Sequence, residues 1–223
     1  MSDHPIIFSA PMVRALLDGR KTMTRRLAIA PCKLCGGKGG TCRGPHRPSP
    51  WQRVKPGDRV WVRENLKQVG SPHHCWTYSA DSLPVGLPRS DPCTSAMIAW
   101  AHHKEGNSAP SIHMPRWASR ITLVVTATKI ERVQAISVSN ALAEGIFKWS
   151  KRSITGEPLW HFIPPATKIE DVHLGCTSPV NAFAWLWQSI HSKESWDANP
   201  EVVALTFTVH KQNIDVMPKA AAA

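Results

Sequence analysis

Three stretches with little hydrophobic periodicity interrupt this chain of 223 residues and restrict it to short helices and strands. They lie at about 30–57, 70–112 and 147–178, where proline, glycine and polar residues break any regular pattern. Between them, periodic segments predict elements in the order helix, strand, strand, helix, helix, strand. We therefore expect one α+β domain over residues 1–211, built on a mostly antiparallel sheet or a small barrel, with three irregular insertions and a tail at 212–223.

The first helix and the first strand carry clear local signals. Ser9 suits the N-cap and Pro11 the first turn of a helix, and Gly19 suits the left-handed position that ends one. At residues 59–63, Val60 and Val62 share one face while polar and aromatic residues share the other. This alternation predicts a half-buried strand that follows a turn at residues 55–58.

The second half of the chain predicts two strands and two helices. Alternating apolar residues predict strands at 120–133 and 201–209. Ser137 or Ser139 caps a short helix that Gly145 closes. Ser178-Pro179 starts a longer helix whose apolar stripe is expected to face the core; the stripe consists of Phe183, Leu186, Trp187 and Ile190.

The charge balance indicates the class of partner. Lys and Arg number 27 against 16 Asp and Glu, a formal net charge of +11. This excess favours polyanions, so RNA or another single-stranded nucleic acid is the leading expectation and a generically basic surface the alternative. No run of about 18 apolar residues and no secretory-signal pattern occurs, so we expect a cytoplasmic protein without a membrane partner.

The residues that follow the first helix concentrate charge. Gly19-Arg20-Lys21-Thr22-Met23-Thr24-Arg25-Arg26 holds four cations and two hydroxyl groups in eight positions. Gly19 ends the packed helix, and the cationic cluster follows it directly. This arrangement predicts a site for an anion or a nucleoside. The alternative is a solvated basic turn in which Thr24 satisfies local backbone groups.

Six cysteines in a chain expected to be cytoplasmic argue for free thiols or a metal site. Cys32-x-x-Cys35-x-Gly-x-Gly matches a zinc-knuckle pattern, and a tetrahedral zinc needs four donors. We call the set Cys32, Cys35, Cys42 and His46 the cysteine loop and expect it to hold a structural zinc or to carry reduced, metal-free thiols. Other residues could replace the last two ligands; they are Cys75, Cys93, His73 and His74.

Several motifs in this order resemble the ASCH domain, a small mixed β-barrel related to the PUA fold. They are the helix followed by Gly19-Arg20-Lys21-Thr22-x-Thr24-x-Arg26, Pro56-Gly57-Asp58 before a strand, the strand at 120–133, Ala143-Glu144-Gly145 and a closing strand. Long prophage-encoded members are also similar at residues 61–64, 111–120 and 195–200. The core resemblance covers a little over half the chain and leaves the insertions unexplained.

The resemblance implies a function and a catalytic trio. ASCH domains are thought to bind RNA or nucleotides, and a small bacterial member hydrolyses the acetyl amide of N4-acetylcytidine with a lysine, a threonine and a glutamate. By motif, these roles fall on Lys21, Thr24 and Glu144. No cofactor is implied for that reaction, and some relatives are suspected of cutting RNA.

Such an amide hydrolysis would need Thr24 as nucleophile and Lys21 as the base that takes its proton. A free lysine has a pKa of about 10.4 and is protonated at neutral pH, so its pKa must be lowered. Neighbouring cations and partial burial would both lower it; the cations are Arg20, Arg25 and Arg26. Glu144 would raise it in a direct ion pair, and could orient Lys21 or bond the cytosine edge.

A second set of residues suits phosphate contacts and base stacking. It comprises Trp61, Arg63, Glu64, Arg116, Trp117 and Arg120, which lie in or beside strand segments. Trp61 shares its strand face with arginines, which makes stacking on a base and packing in the fold equally open. Three functions therefore follow from the sequence: hydrolysis of an N4-acylated cytidine, binding of RNA or DNA without turnover, and RNA cleavage.

Overall fold

The computed structural model describes residues 2–30, 47–69, 75–86, 108–152, 156–162 and 176–218. The chain forms two compact units. Unit 1 comprises Met1–Leu17, Gly57–Val124 and Thr208–Ala223, and unit 2 comprises Asp18–Pro56 and Val125–Phe207.

The described residues form ten strands and four α-helices. The strands are β1 (Asp3–Ile7), β2 (Met23–Leu27), β3 (Arg59–Arg63), β4 (Leu66–Val69), β5 (Cys75–Tyr78), β6 (Ser108–Ala109), β7 (Thr122–Arg132), β8 (Phe147–Arg152), β9 (Pro158–His161) and β10 (Glu201–His210). The α-helices are α1 (Ala10–Leu17), α2 (Val138–Ala143), α3 (Pro179–His191) and α4 (Lys193–Asp197). The fold is therefore α+β, as predicted.

The largest sheet has the strand order β1-β3-β7-β10-β2, and β7 and β10 contribute residues to both units. The β1–β3 pair is parallel, whereas β3–β7 and β10–β2 are antiparallel. β1 and β2 end the order, so pairing among the described strands leaves this sheet open. Smaller antiparallel sheets have the orders β5-β4-β6 and β8-β9.

Unit 1 has a core between its small sheet and the 3₁₀ turns that follow it. The buried members of this core are Leu66, Trp76, Tyr78, Val85, Ala109, Met114 and Ala118. Strands β5 and β6 fall inside the second predicted insertion, which therefore contributes to a core as well as to connections.

Strand β3 is buried on both faces, so the expectation of a half-buried strand is wrong. Arg59 is only 2% exposed. Its guanidinium binds the Asp3 carboxylate at 2.9 Å and donates to the carbonyls of Ile214 and Met217 at 3.2 and 3.1 Å. Because these acceptors satisfy the guanidinium, Arg59 can lie in a buried position, although the alternation predicted that it faces solvent.

The described part of the expected tail packs within unit 1. Ile214 is fully buried. The Asn213 amide donates to the carbonyls of Arg116, Trp117 and Ser119 at 2.9, 3.1 and 2.7 Å. Residues 212–218 therefore belong to the fold, in contrast to the expectation of a tail from 212 onwards.

Unit 2 confirms both predicted helix starts. The Ser137 hydroxyl accepts from the Asn140 amide at 3.2 Å and the Ser178 hydroxyl from the Val180 amide at 3.2 Å. On α3, Phe183, Leu186 and Trp187 are buried as expected, but Ile190 is 53% exposed, so its assignment to the core is wrong. The helix ends at His191, and its last turn lies beyond the buried stripe.

The third predicted insertion also contains regular structure. β8 and β9 pair with Phe147 opposite His161 and Lys148 opposite Trp160. Among the helices in the part of the chain that the structure describes, none is both long and apolar enough to cross a membrane.

Candidate functional site

The segment after α1 enters unit 2 through a left-handed glycine. Gly19 has φ +73°, the conformation predicted for the residue that ends this helix. The basic segment is then extended, because Lys21 forms an isolated antiparallel bridge with Glu144 and β2 follows at Met23. The Thr22 amide donates to the Ala143 carbonyl at 2.8 Å. Backbone pairing therefore brings Lys21 and Glu144, which are distant in sequence, next to each other.

Lys21 and Glu144 form a buried ion pair. Lys21 Nζ lies 2.7 Å from Glu144 Oε2 and donates to the Glu144 carbonyl oxygen at 2.9 Å. The side chains are only 1% and 4% exposed. Glu144 follows the last residue of α2 as its C-cap, where the helix dipole gives a carboxylate no favourable interaction. The cations around it supply that stabilisation.

Arg25 continues the network on β2. Its Nη1 lies 3.1 Å from Glu144 Oε1, and its Nη2 lies 2.6 Å from Glu131 Oε1. Lys129 Nζ in turn lies 2.9 Å from Glu131 Oε2. Both oxygens of Glu144 are thus engaged by cations, and Arg25 connects the Glu144 and Glu131 carboxylates.

Burial lowers the pKa of Lys21 below its ordinary value of 10.5. The Glu144 charge and its hydrogen bond act in the opposite direction, while the charges of Arg26 and Arg25 lower the pKa further. The expected influence of burial and neighbouring arginines is therefore present for two of the three arginines. A lysine of lowered pKa can accept a proton closer to neutral pH.

Arg20 and Arg26 border the pair differently. Arg20 binds Asp18 at 2.8 Å, donates to the Gly145 carbonyl at 3.2 Å and lies 5.0 Å from the centre of the Phe147 ring. Arg26 lies 5.7 Å from the centre of the Trp51 ring. Burial lowers the pKa of Arg26, partly offset by the charge of Glu144. The surroundings of the pair are thus cationic and aromatic.

Thr24 is buried on β2, 4% exposed, opposite Leu205 of β10. Within the described residues its hydroxyl makes no hydrogen bond to Lys21 or Glu144. The pair Lys21–Glu144 is therefore assembled in this structure, whereas the predicted nucleophile is close in sequence but is not bonded to its base. The alternative of a solvated basic turn is wrong at Thr24, because this residue is buried in β2, which pairs with β10.

The second predicted set lies in unit 1, where internal contacts engage its members. Trp61 is only 9% exposed, with the Arg63 guanidinium 5.2 Å from its ring centre, so it offers little surface for a base. Arg63 also donates to the Ile112 carbonyl, and burial lowers its pKa. The packing alternative for Trp61 is the one this structure supports.

Glu64 and Arg120 form the centre of a second ion-pair cluster. Arg120 donates to both Glu64 oxygens at 2.9 Å and to Asp81 at 2.7 Å, and it lies 3.8 Å from the centre of the Tyr78 ring. Burial raises the pKa of Glu64 and that of Tyr78, the latter to about 12.

Arg116 bridges Asp3 at 2.6 Å and Asp215 at 2.8 Å, and the hydrogen bonds that it donates to the Asp215 and Asp3 carboxylates raise its pKa. Trp117 packs against the core of unit 1. These residues hold the unit together through internal contacts.

Sequence reasoning missed Glu131 and Lys129, the outer members of the network around Arg25. They are separated by one residue on β7 and so share a strand face. That spacing of opposite charges was the available signal, but it does not reveal which arginine completes the network.

The predicted zinc ligands Cys32, Cys35, Cys42 and His46 lie outside the described residues, as do the alternatives His73, His74 and Cys93. Residues 2–30, 47–69, 75–86, 108–152, 156–162 and 176–218 contain no cluster of three or more His, Cys, Asp or Glu side chains suited to a metal.

Comparison of the chain with protein-family models, curated proteins and solved structures gave no match.

Proposed function

We propose that this chain is an ASCH-type protein with a PUA-like barrel that recognises a modified nucleoside in RNA or another single-stranded nucleic acid. The observation that carries the proposal is the buried Lys21–Glu144 pair at 2.7 Å, which joins two motifs separated by 123 positions. The net charge of +11 supports a polyanionic ligand.

The chemistry proposed for the site is hydrolysis of the acyl amide of an N4-acylated cytidine. In its neutral form Lys21 takes the proton of the Thr24 hydroxyl, and the hydroxyl oxygen attacks the acyl carbon. The C–N bond then breaks, and the proton held by Lys21 passes to the leaving exocyclic nitrogen. Water hydrolyses the resulting ester, releasing the acid and regenerating Thr24. Glu144 holds Lys21 in place because Lys21 Nζ donates both to the Glu144 carboxylate and to the Glu144 carbonyl oxygen.

A specific observation favours a second function, binding without turnover. The Thr24 hydroxyl has no hydrogen bond to Lys21 in the described structure, and both Glu144 oxygens are engaged by cations. In this alternative the network holds the site rigid, and the surrounding cations bind phosphate.

The test compares purified wild type with Lys21→Met, Thr24→Val and Glu144→Gln on N4-acetylcytidine, free and within RNA. We expect deacetylation by the wild type and a loss of about 100-fold or more in each variant. Thr22→Val is the matched control for Thr24, because Thr22 is exposed, and exposed Lys67→Met is the control for Lys21.

Each outcome separates the functions. Salt-dependent RNA binding with no turnover of either substrate would contradict hydrolysis and support the binding function. Shortened RNA products that disappear in Lys21→Met would instead identify a ribonuclease. Equal turnover by Thr24→Val and Thr22→Val would remove Thr24 as the nucleophile.

We extend the proposal to a structural zinc in the cysteine loop. Its support is the spacing of thiols and glycines in the sequence, which suits a tetrahedral thiolate site. No catalytic role is assigned to this ion.

A further inference from the structure

Aromatic side chains gather around His161 in unit 2. The His161 ring centre lies 6.4 Å from that of Phe147, 5.7 Å from Trp149, 5.5 Å from Phe162 and 5.9 Å from Trp185. Phe147 and Trp149 alternate on β8 and so share one face with His161, which lies opposite Phe147. We call Phe147, Trp149, Phe162 and Trp185 the aromatic surface.

The aromatic surface is partly open to solvent. His161 is only 5% exposed, but each of the four surrounding rings is half-buried. The centre of the cluster is therefore packed while its outer rings retain exposed area. Large partly exposed aromatic rings offer a nucleobase a stacking partner, and stacking accepts any base because every base has a π-face.

Positive charge borders these rings. The Arg20 guanidinium lies 5.0 Å from the centre of the Phe147 ring, and the following Lys148 is exposed. The β8 sequence Phe-Lys-Trp-Ser-Lys-Arg contains three cations and no acidic residue, and Lys148 lies on the strand face opposite to Phe147 and Trp149. Cations beside stacking rings match the alternation of phosphates and bases in a nucleic-acid strand.

The aromatic surface also adjoins the Lys21–Glu144 pair. Arg20, which contacts Phe147, donates to the carbonyl of Gly145, the residue after Glu144, at 3.2 Å. Phe147 itself follows Glu144 by three positions. A strand with one base at the pair would therefore have its neighbouring bases within reach of the rings.

We propose that the aromatic surface, with Arg20 at its border, is a stacking subsite for single-stranded nucleic acid. It binds nucleotides that flank the base at the Lys21–Glu144 pair. This inference rests on the proposed function for the location of that base. It makes a single strand, and not a free nucleoside, the preferred ligand.

The test measures the fluorescence anisotropy of labelled oligouridylate, oligothymidylate and a duplex of equal length at one fixed salt concentration. Trp149→Leu keeps an apolar side chain but removes the ring, so we expect binding of both single strands to weaken about tenfold or more. Trp149→Phe restores a ring and should recover most of that affinity. Duplex affinity should change little, because paired bases are already stacked.

The matched control is Trp196→Leu, since Trp196 is a half-buried tryptophan of unit 2 on α4 that contacts Phe183 instead of the aromatic surface. Equal single-strand affinity of Trp149→Leu and wild type would overturn the proposal. So would an equal loss in Trp196→Leu, or an equal loss of duplex binding. Because the readout is binding, the result is independent of whether the wild type hydrolyses N4-acetylcytidine.

Discussion

Removal of one member of the Lys21–Glu144 pair should strongly destabilise the chain, and Glu144→Gln should have the larger effect. Both side chains are almost fully buried, so solvent screens their interaction weakly. Loss of one partner of a buried pair destabilises by about 3–5 kcal/mol. Glu144→Gln deprives two cations of their carboxylate, Lys21 at 2.7 Å and Arg25 at 3.1 Å, and should lie near the upper end.

Lys21→Met should lie near the lower end of that range. In this variant Glu144 keeps Arg25 as a partner. The variant also has no charged group at position 21, so the cost of burying the Lys21 charge is removed. At about 2–4 °C per kcal/mol for a chain of this size, Tm should fall by about 6–12 °C in Lys21→Met and about 10–20 °C in Glu144→Gln.

The double variant tests whether the two effects share an origin. Residues in direct contact couple by about 0.5–3 kcal/mol, so the double variant should be less destabilised than the sum of the single variants. Urea denaturation followed by tryptophan fluorescence and by circular dichroism measures all four chains. Asp18→Asn is the control, because the exposed Asp18–Arg20 pair should contribute about 0–1 kcal/mol.

The pH dependence gives an independent check. The pKa of Lys21 in the folded chain is below 10.5, its ordinary value in the unfolded chain. At pH values between the folded-chain pKa and 10.5, the unfolded chain binds more protons than the folded chain, so stability rises with pH. Glu144→Gln removes the charge that raises this pKa, which extends the window to lower pH. A larger loss in Lys21→Met than in Glu144→Gln, strictly additive effects, or unchanged pH profiles would refute the reasoning.

Three further outcomes follow from other features. Ile214→Ala should lower the free energy of unfolding by about 2–5 kcal/mol, and a change near zero in urea denaturation would show that residues after 211 are dispensable. Burial alone would raise the pKa of Glu131, but hydrogen bonds from Lys129 and Arg25 hold it below 4.5, so its stabilisation exists above that pH and is lost as pH falls through the lowered pKa. The stability difference between wild type and Glu131→Gln should therefore shrink on acidification, and a constant difference would contradict this. For the cysteine loop, metal analysis should find one zinc per chain, whereas less zinc and six freely reactive thiols would exclude the site.

Local patterns predicted those features whose causes are local. The positive φ of Gly19, the Ser137 cap and the strand β7 each depend mainly on a few neighbouring residues, and each is present. The association of Lys21 with Glu144 was accessible only through resemblance to a family, since no spacing rule joins positions 123 apart.

The remaining features depend on contacts distant in sequence. β1 contains Asp and Pro, which are uncommon in strands, and it forms through parallel pairing with β3. Burial of Arg59 requires Asp3 and two carbonyls near the end of the chain. The arrangement around His161 requires β9 to pair with β8, which neither strand's own sequence specifies.

The bridge between Lys21 and Glu144 also bears on how this site could change during evolution. Backbone pairing and the Thr22–Ala143 hydrogen bond use main-chain atoms, so these contacts do not directly involve the side chains at the two positions. Related chains could therefore exchange the residues at these positions and acquire a different reactivity while the main chain stays in place. The main-chain bridge, and not the ion pair itself, therefore sets where these two side chains meet.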